Sequence, residues 1–172
     1  MEIFKENTQI PIQKTYSSFV IMNEEVDMNG FSSETIDKEV QILLHEYLEQ
    51  NGLIYDRQDP DLLIRYSSNE NKRERNVGAF PSHYPSYWGY SVWDPWSYRN
   101  QNNLKNSEYE LLQVIVDFID PHAEKTLMTL TGVTEVDNPK SKGKKALKTT
   151  EKIISYFLTE LYGSKNNEHV NK

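Results

Sequence analysis

Residues 109–119 place Leu112, Val114, Val116 and Phe118 at every second position, with Leu111, Ile115 and Ile119 between them alongside Gln113 and Asp117. Only an extended strand gathers alternate side chains onto one side, so this run predicts a strand with one dry face and one partly wet face. The turn Asp120-Pro121-His122-Ala123 leads into a second β-rich run over 125–136, and the pair reads as an antiparallel hairpin. A hairpin with one dry face needs apolar cover. Two helical stripes can supply it. Over 33–51, Ile36, Val40, Leu43, Leu44, Tyr47 and Leu48 recur at helical spacing, and over 144–162 so do Ala146, Ile153, Ile154, Phe157, Leu158 and Leu161. For the first helix, Ser32 is the expected cap, Phe31 staples onto Ile36, Glu34 suits the positive end, and Gly52 stands where a left-handed stop is needed. Gly163 is the expected stop of the second.

Two further strands are expected, over 15–22 and, after the Asp59-Pro60 turn, over 61–67 with a continuation toward Arg73. The order β-α-β-β-β-α predicts an α/β (α+β) two-layer sandwich, with about four strands in a mixed sheet and two helices on one face. With 172 residues and no shift of composition, one domain is expected over 14–162. It is flanked by an N-terminal extension over 1–13 and a flexible tail over 163–172.

Between the second and third expected strands lies a segment, 76–106, that no such element accommodates. It holds all three tryptophans, Trp88, Trp93 and Trp96, together with Tyr84, Tyr87, Tyr90, Tyr98 and Phe80. Pro81, Pro85, Pro95 and Gly89 interrupt any helix and demote a strand to an edge or to pieces. Rings at this density either pack onto the scaffold or face a partner.

Composition narrows the chemistry. A formal charge of −7 and a pI near 5.1 oppose binding to polyphosphates, so nucleic acid is not an expected partner. The histidines at 45, 83, 122 and 169 share no ligand spacing and there is no cysteine, so neither a metal nor a disulfide is expected. No phosphate loop, dinucleotide fingerprint or nucleophile motif is present, and no cofactor is expected.

Several phrases carry a family resemblance. Lys14-Thr15-Tyr16 opens the first strand; the helix ending at Gly52 is followed by a turn and a Pro60-Asp61-Leu62-Leu63 strand; Val116-Asp117 lies in the hairpin, whose second strand closes on Gly132. In these respects the chain resembles the bacterial envelope-lipoprotein family DUF4136 over about 14–162. It departs from the family at Met128-Thr129-Leu130-Thr131, where a Val-Trp-Arg ending is usual. The resemblance implies a periplasmic or outer-membrane-associated domain, with membrane attachment only through a lipid anchor that these residues do not contain.

The candidate binding residues are Tyr87, Trp88, Tyr90, Trp93 and Trp96, whose faces suit an envelope protein or a glycan. Lys142, Lys144 and Lys145, near the start of the last helix, form a weaker candidate anion site. Asp94, collared by tryptophans, is the candidate acid of an alternative reading as a cell-wall or glycan hydrolase, with Asp117 or Asp120 as second carboxyl. The main expectation is a non-enzymatic binding or structural module, with no catalytic residue assigned. A third reading is a soluble domain whose aromatic loop is purely structural.

Overall fold

The alternation in the hairpin is realised as two long strands, and the rest of the sheet is built on them. A computed structural model describes residues 1–6, 14–75 and 107–166. In chain order the elements are β1 (Glu2–Glu6), β2 (Ser18–Ile21), α1 (Met22–Glu25), α2 (Glu34–Gln50), β3 (Ile54–Tyr55), β4 (Leu62–Arg75), β5 (Ser107–Asp120), β6 (Lys125–Val136), a 3-10 turn (Pro139–Ser141) and α3 (Lys142–Asn166). The strands form one mixed sheet in the order β1-β6-β5-β4-β2-β3. β2 runs parallel to both β4 and β3, as the helical crossover through α2 requires, and the remaining pairs are antiparallel.

The sheet therefore has six strands among the described residues, where four were expected. β3 is only two residues long, below what a pattern can reveal. β1 falls inside the expected N-terminal extension because its sequence is charged. Ile3 packs on the core, and Lys5 bonds Glu160 on α3 at 3.1 Å, while Glu2 and Glu6 suit an edge strand.

Leu112, Val114, Val116 and Phe118 are fully buried, and α2 and α3 cover that face. Val40, Leu44 and Leu48 from α2 and Ile153, Ile154 and Phe157 from α3 join the same core, with Phe118 stacked on Phe157 at 3.7 Å between ring centres. On the opposite face, Arg65, Ser67 and Asn69 of β4 are exposed.

Helix ends are set by local chemistry. The cap of α2 is Ser33, whose side chain accepts from the Ile36 N–H, whereas the expected cap Ser32 turns to Glu70 instead. Buried Asp37 accepts the N–H groups of Gly30 and Phe31 at 2.7 and 3.2 Å and so fixes the loop entering the helix. Gly52 takes the expected left-handed conformation, φ +90. Asn23 extends the β2–β4 pairing with its side chain, donating to Tyr66 O and accepting from Tyr66 N, each at 2.9 Å.

Gly163 does not end the last helix, which continues to Asn166; its φ is not positive, so it is merely tolerated there. Gly132 has a stricter role, because a Cβ there would lie 2.3 Å from Thr149 Cγ2 and 3.2 Å from Ile153 Cδ1, where β6 meets α3. Gly132→Ala is expected to cost about 1–3 kcal/mol through overpacking. Gly163→Ala, with nothing within 4 Å of its Cβ, is expected to gain about 0.5–1 kcal/mol. Urea midpoints of the two variants, measured at unchanged m-value, check the pair.

Candidate functional site

Among the described residues, three polar assemblies stand where elements of this apolar frame meet. The first joins the segment ahead of β2 to the β5–β6 turn. Asp120 is fully buried; its Oδ2 takes the Lys14 ammonium and the Tyr16 hydroxyl, the latter at 2.9 Å, and its Oδ1 accepts the N–H groups of His122 and Ala123 at 3.0 Å each. Lys14 also lies over the Tyr16 ring. Burial alone pushes the Asp120 carboxyl up; Lys14, the Ala123 N–H and Tyr16 outweigh it and hold the pKa below the usual carboxylate value. Burial and Asp120 together raise the Tyr16 phenol. Every acceptor direction of the carboxylate is occupied from within the chain, so this arrangement fastens elements together and offers no group to a substrate.

The second assembly lies at the β3 edge. His45 on α2 contacts both oxygens of Glu24 at 2.9 Å, and Tyr55 donates to Glu24 at 3.0 Å and Glu25 at 3.1 Å. Arg57 holds Glu25 through two bonds of 2.8 and 3.1 Å and lowers its pKa. Phe19 meets the rings of His45 and Tyr55 edge to face, and those two rings are tilted against each other. Among the described residues no three His, Cys, Asp or Glu side chains are grouped to hold a metal ion.

The third assembly stands where β4 and β5 outrun the sheet. β6 ends with Val136 opposite Glu110, yet β4 and β5 stay paired beyond it through Arg73↔Tyr109, Glu74↔Glu108 and Arg75↔Ser107. A two-stranded arm therefore projects past the third strand, and segment 76–106 departs from and returns to its end. At its base Lys142 Nζ lies 2.7 Å from Glu70 Oε2 and 2.8 Å from Glu110 Oε1. Elsewhere the described surface offers a shallow open groove between the C-terminal ends of α2 and α3, lined by Tyr47, Asn51, Leu158 and Tyr162 among others.

The model of a family described as a domain of unknown function, DUF4136, matches residues 5–157. The chain belongs to the DUF4136 family. No curated protein sequence matches it. Two crystal structures of PelC dodecamers from Paraburkholderia phytofirmans, one of them a single-substitution variant, are similar to this DUF4136 chain at 9% identity and a TM-score of 0.51, covering 90% of this chain and 94% of theirs. A PDZ domain protein from Parabacteroides distasonis gives 13% identity and a TM-score of 0.41 over 85% of this chain and 34% of its own. At such identity the PelC likeness shows the fold alone.

The family phrases acquire physical meaning in this DUF4136 structure. Lys14 and Tyr16 of the opening phrase bind Asp120; Asp61 of the strand phrase accepts from Ser17 N at 2.9 Å and Ser17 Oγ at 2.8 Å; Asp117 holds Arg65 at 2.8 Å and Thr129 at 2.7 Å. Tyr87, Trp88, Tyr90, Trp93, Trp96 and Asp94 lie outside the described residues. Of the three lysines, Lys142 is neutralised by two glutamates and Lys145 donates to the Glu135 carbonyl, which leaves Lys144 exposed. The spacing of the lysines could not show this, because both glutamates come from strands far away in sequence. The Lys14–Tyr16–Asp120 contact was equally hidden, although Asp120 ahead of a proline marked the turn that it stabilises.

The depressed Asp120 pKa has a definite sign. Its contribution is fully present above the unfolded value of about 3.9 and is lost as pH falls through the lower folded value. Asp120→Ala is expected to cost about 3–5 kcal/mol at neutral pH by stranding Lys14, Tyr16 and two N–H groups. The gap from the parent should narrow below about pH 4. Urea unfolding across that range checks both statements.

Proposed function

We propose that this chain is a non-enzymatic binding or structural module of the bacterial cell envelope, periplasmic or outer-membrane-associated, that works through segment 76–106. Its partner is an envelope protein or a glycan, met by stacking and apolar contact with Tyr87, Trp88, Tyr90, Trp93 and Trp96. The observation that carries this reading is the arm: β4 and β5 remain paired past the end of β6 as far as Arg75 and Ser107, and the segment strung between those two residues contains every tryptophan of the chain. A rigid sheet that delivers a dense aromatic sequence from a narrow base is an economical way to build a recognition loop. Exposed Lys144 adds a weaker electrostatic attraction for acidic partners.

Tryptophan emission reports on segment 76–106 alone, because no indole lies elsewhere. The reading expects red-shifted emission readily quenched by acrylamide, with quenching relieved on titration with cell-wall glycan fragments or envelope extracts. Blue-shifted, protected emission would show the rings to be core and end the proposal. Replacing Trp88, Trp93 and Trp96 together by Ala is expected to weaken binding by about thirtyfold or more, the loss of one hot spot. Each single substitution should move stability by no more than about 0.5 kcal/mol.

A further inference from the structure

The base of the arm carries more charge than its geometry needs for strand pairing alone. Glu70 on β4 and Glu110 on β5 sit on the helix-facing side of the sheet, one opposite Leu112 and the other opposite Lys72 and Val136. Their side chains are only 14% and 16% exposed, and between them lies Lys142, itself 16% exposed. Lys142 is the first residue of α3, so one ammonium joins both strands of the arm to the start of that helix. Burial alone would lower the Lys142 pKa, but its bonds to Glu110 and Glu70 outweigh that effect and raise it. Glu70 also accepts the hydroxyl and N–H of Ser32, which brings in the loop ahead of α2. Its carboxyl is held low by Lys142 and Ser32 against the opposing effect of burial.

The placement is electrostatically consistent. Two carboxylates at the N-terminus of α3 suit the helix dipole, while a lysine at that position opposes it. Lys142 is stable there because both carboxylates face it, and both carboxylates can approach each other because it stands between them. Beyond this point β6 no longer supports β5, and an isolated two-stranded ribbon is marginal in water. The order and direction of the arm must therefore be imposed at its base.

We infer that Lys142 is the positioning residue of the arm. Its paired bonds to Glu70 and Glu110 lock β4 and β5 onto α3 and so determine where segment 76–106 is presented. The locking stands on the ion pairs alone; its bearing on recognition rests on the function proposed above.

The test separates the two by reading amide hydrogen exchange of the unliganded full chain. Lys142→Met keeps the length of the side chain and leaves two largely buried carboxylates facing one another. Exchange over 71–75 and 107–111 is expected to accelerate by roughly tenfold or more, while the amides of 114–118 and 128–132 stay within about twofold of the parent. The triple variant Glu70→Gln, Glu110→Gln, Lys142→Met removes attraction and repulsion together; with no ion pair left to hold the arm, its exchange over 71–75 and 107–111 should stay roughly fivefold or more faster than the parent's. Arm exchange unchanged in Lys142→Met would overturn the inference. So would acceleration spread evenly through the sheet, which assigns Lys142 a general packing role, or a triple variant with parent-like arm protection, which traces the change to carboxylate repulsion and not to a lost lock. If Lys142→Met fails to fold, the triple variant decides: a folded protein with accelerated arm exchange supports the inference, and parent-like arm protection or failure to fold overturns it. Glycan or extract titration followed by tryptophan emission then reports separately on the recognition reading.

Discussion

Thirteen consecutive antiparallel pairs, from Leu63↔Ile119 to Arg75↔Ser107, join β4 to β5, and the other parts of the molecule are arranged around that ribbon. On one flank β5 recruits β6 and then β1; on the other β4 accepts β2 in parallel, which the α2 crossover makes possible. Its inner face carries Ile64, Tyr66, Val114, Val116 and Phe118, all buried, and so determines where α2 and α3 must lie. Its far end outruns the third strand and carries the aromatic segment. One continuous pairing thus sets the core, the layer order and the point at which segment 76–106 leaves and rejoins the sheet.

Charges are placed at the two ends of the same ribbon. At the turn end Asp120 is enclosed by Lys14, Tyr16 and two backbone N–H groups; at the arm end Glu70 and Glu110 enclose Lys142. Apolar burial between these ends is non-directional and tolerates small slides of helix over sheet. Hydrogen-bonded ion pairs do not tolerate them, because a displaced partner leaves a desolvated charge. The core supplies cohesion and the polar ends supply registration.

Much of the frame was legible in the residues. The alternation at Leu112, Val114, Val116 and Phe118 is a property of neighbours two apart, and the stripes of α2 and α3 are properties of neighbours three and four apart, so both survive without tertiary information. Gly52 was recognisable because only a left-handed residue could end α2 at that point. Failures came where local rules compete. Ser32 and Ser33 are equally good caps by composition, and the choice fell to Ser33 because Ser32 is drawn to Glu70 across the fold. Gly163 resembles a stop, but nothing there demands positive φ, so α3 continues. β1 escaped notice because an edge strand needs only one apolar contact, here Ile3.

The sequence by itself determined the class of fold, the hairpin, both long helices and the concentration of tryptophan in a single segment, since each depends on periodicity or on residue type over short spans. Tertiary structure alone decided the six-stranded order, the partners of Asp120, the engagement of Lys142 and the arm that extends past β6. Those features join residues separated by tens of positions, such as Lys14 with Asp120 and Glu70 with Lys142. Side-chain chemistry says what such residues can bind. Which of them meet is settled by the packing of the sheet and its helices, because only the folded chain brings their ends within hydrogen-bonding distance.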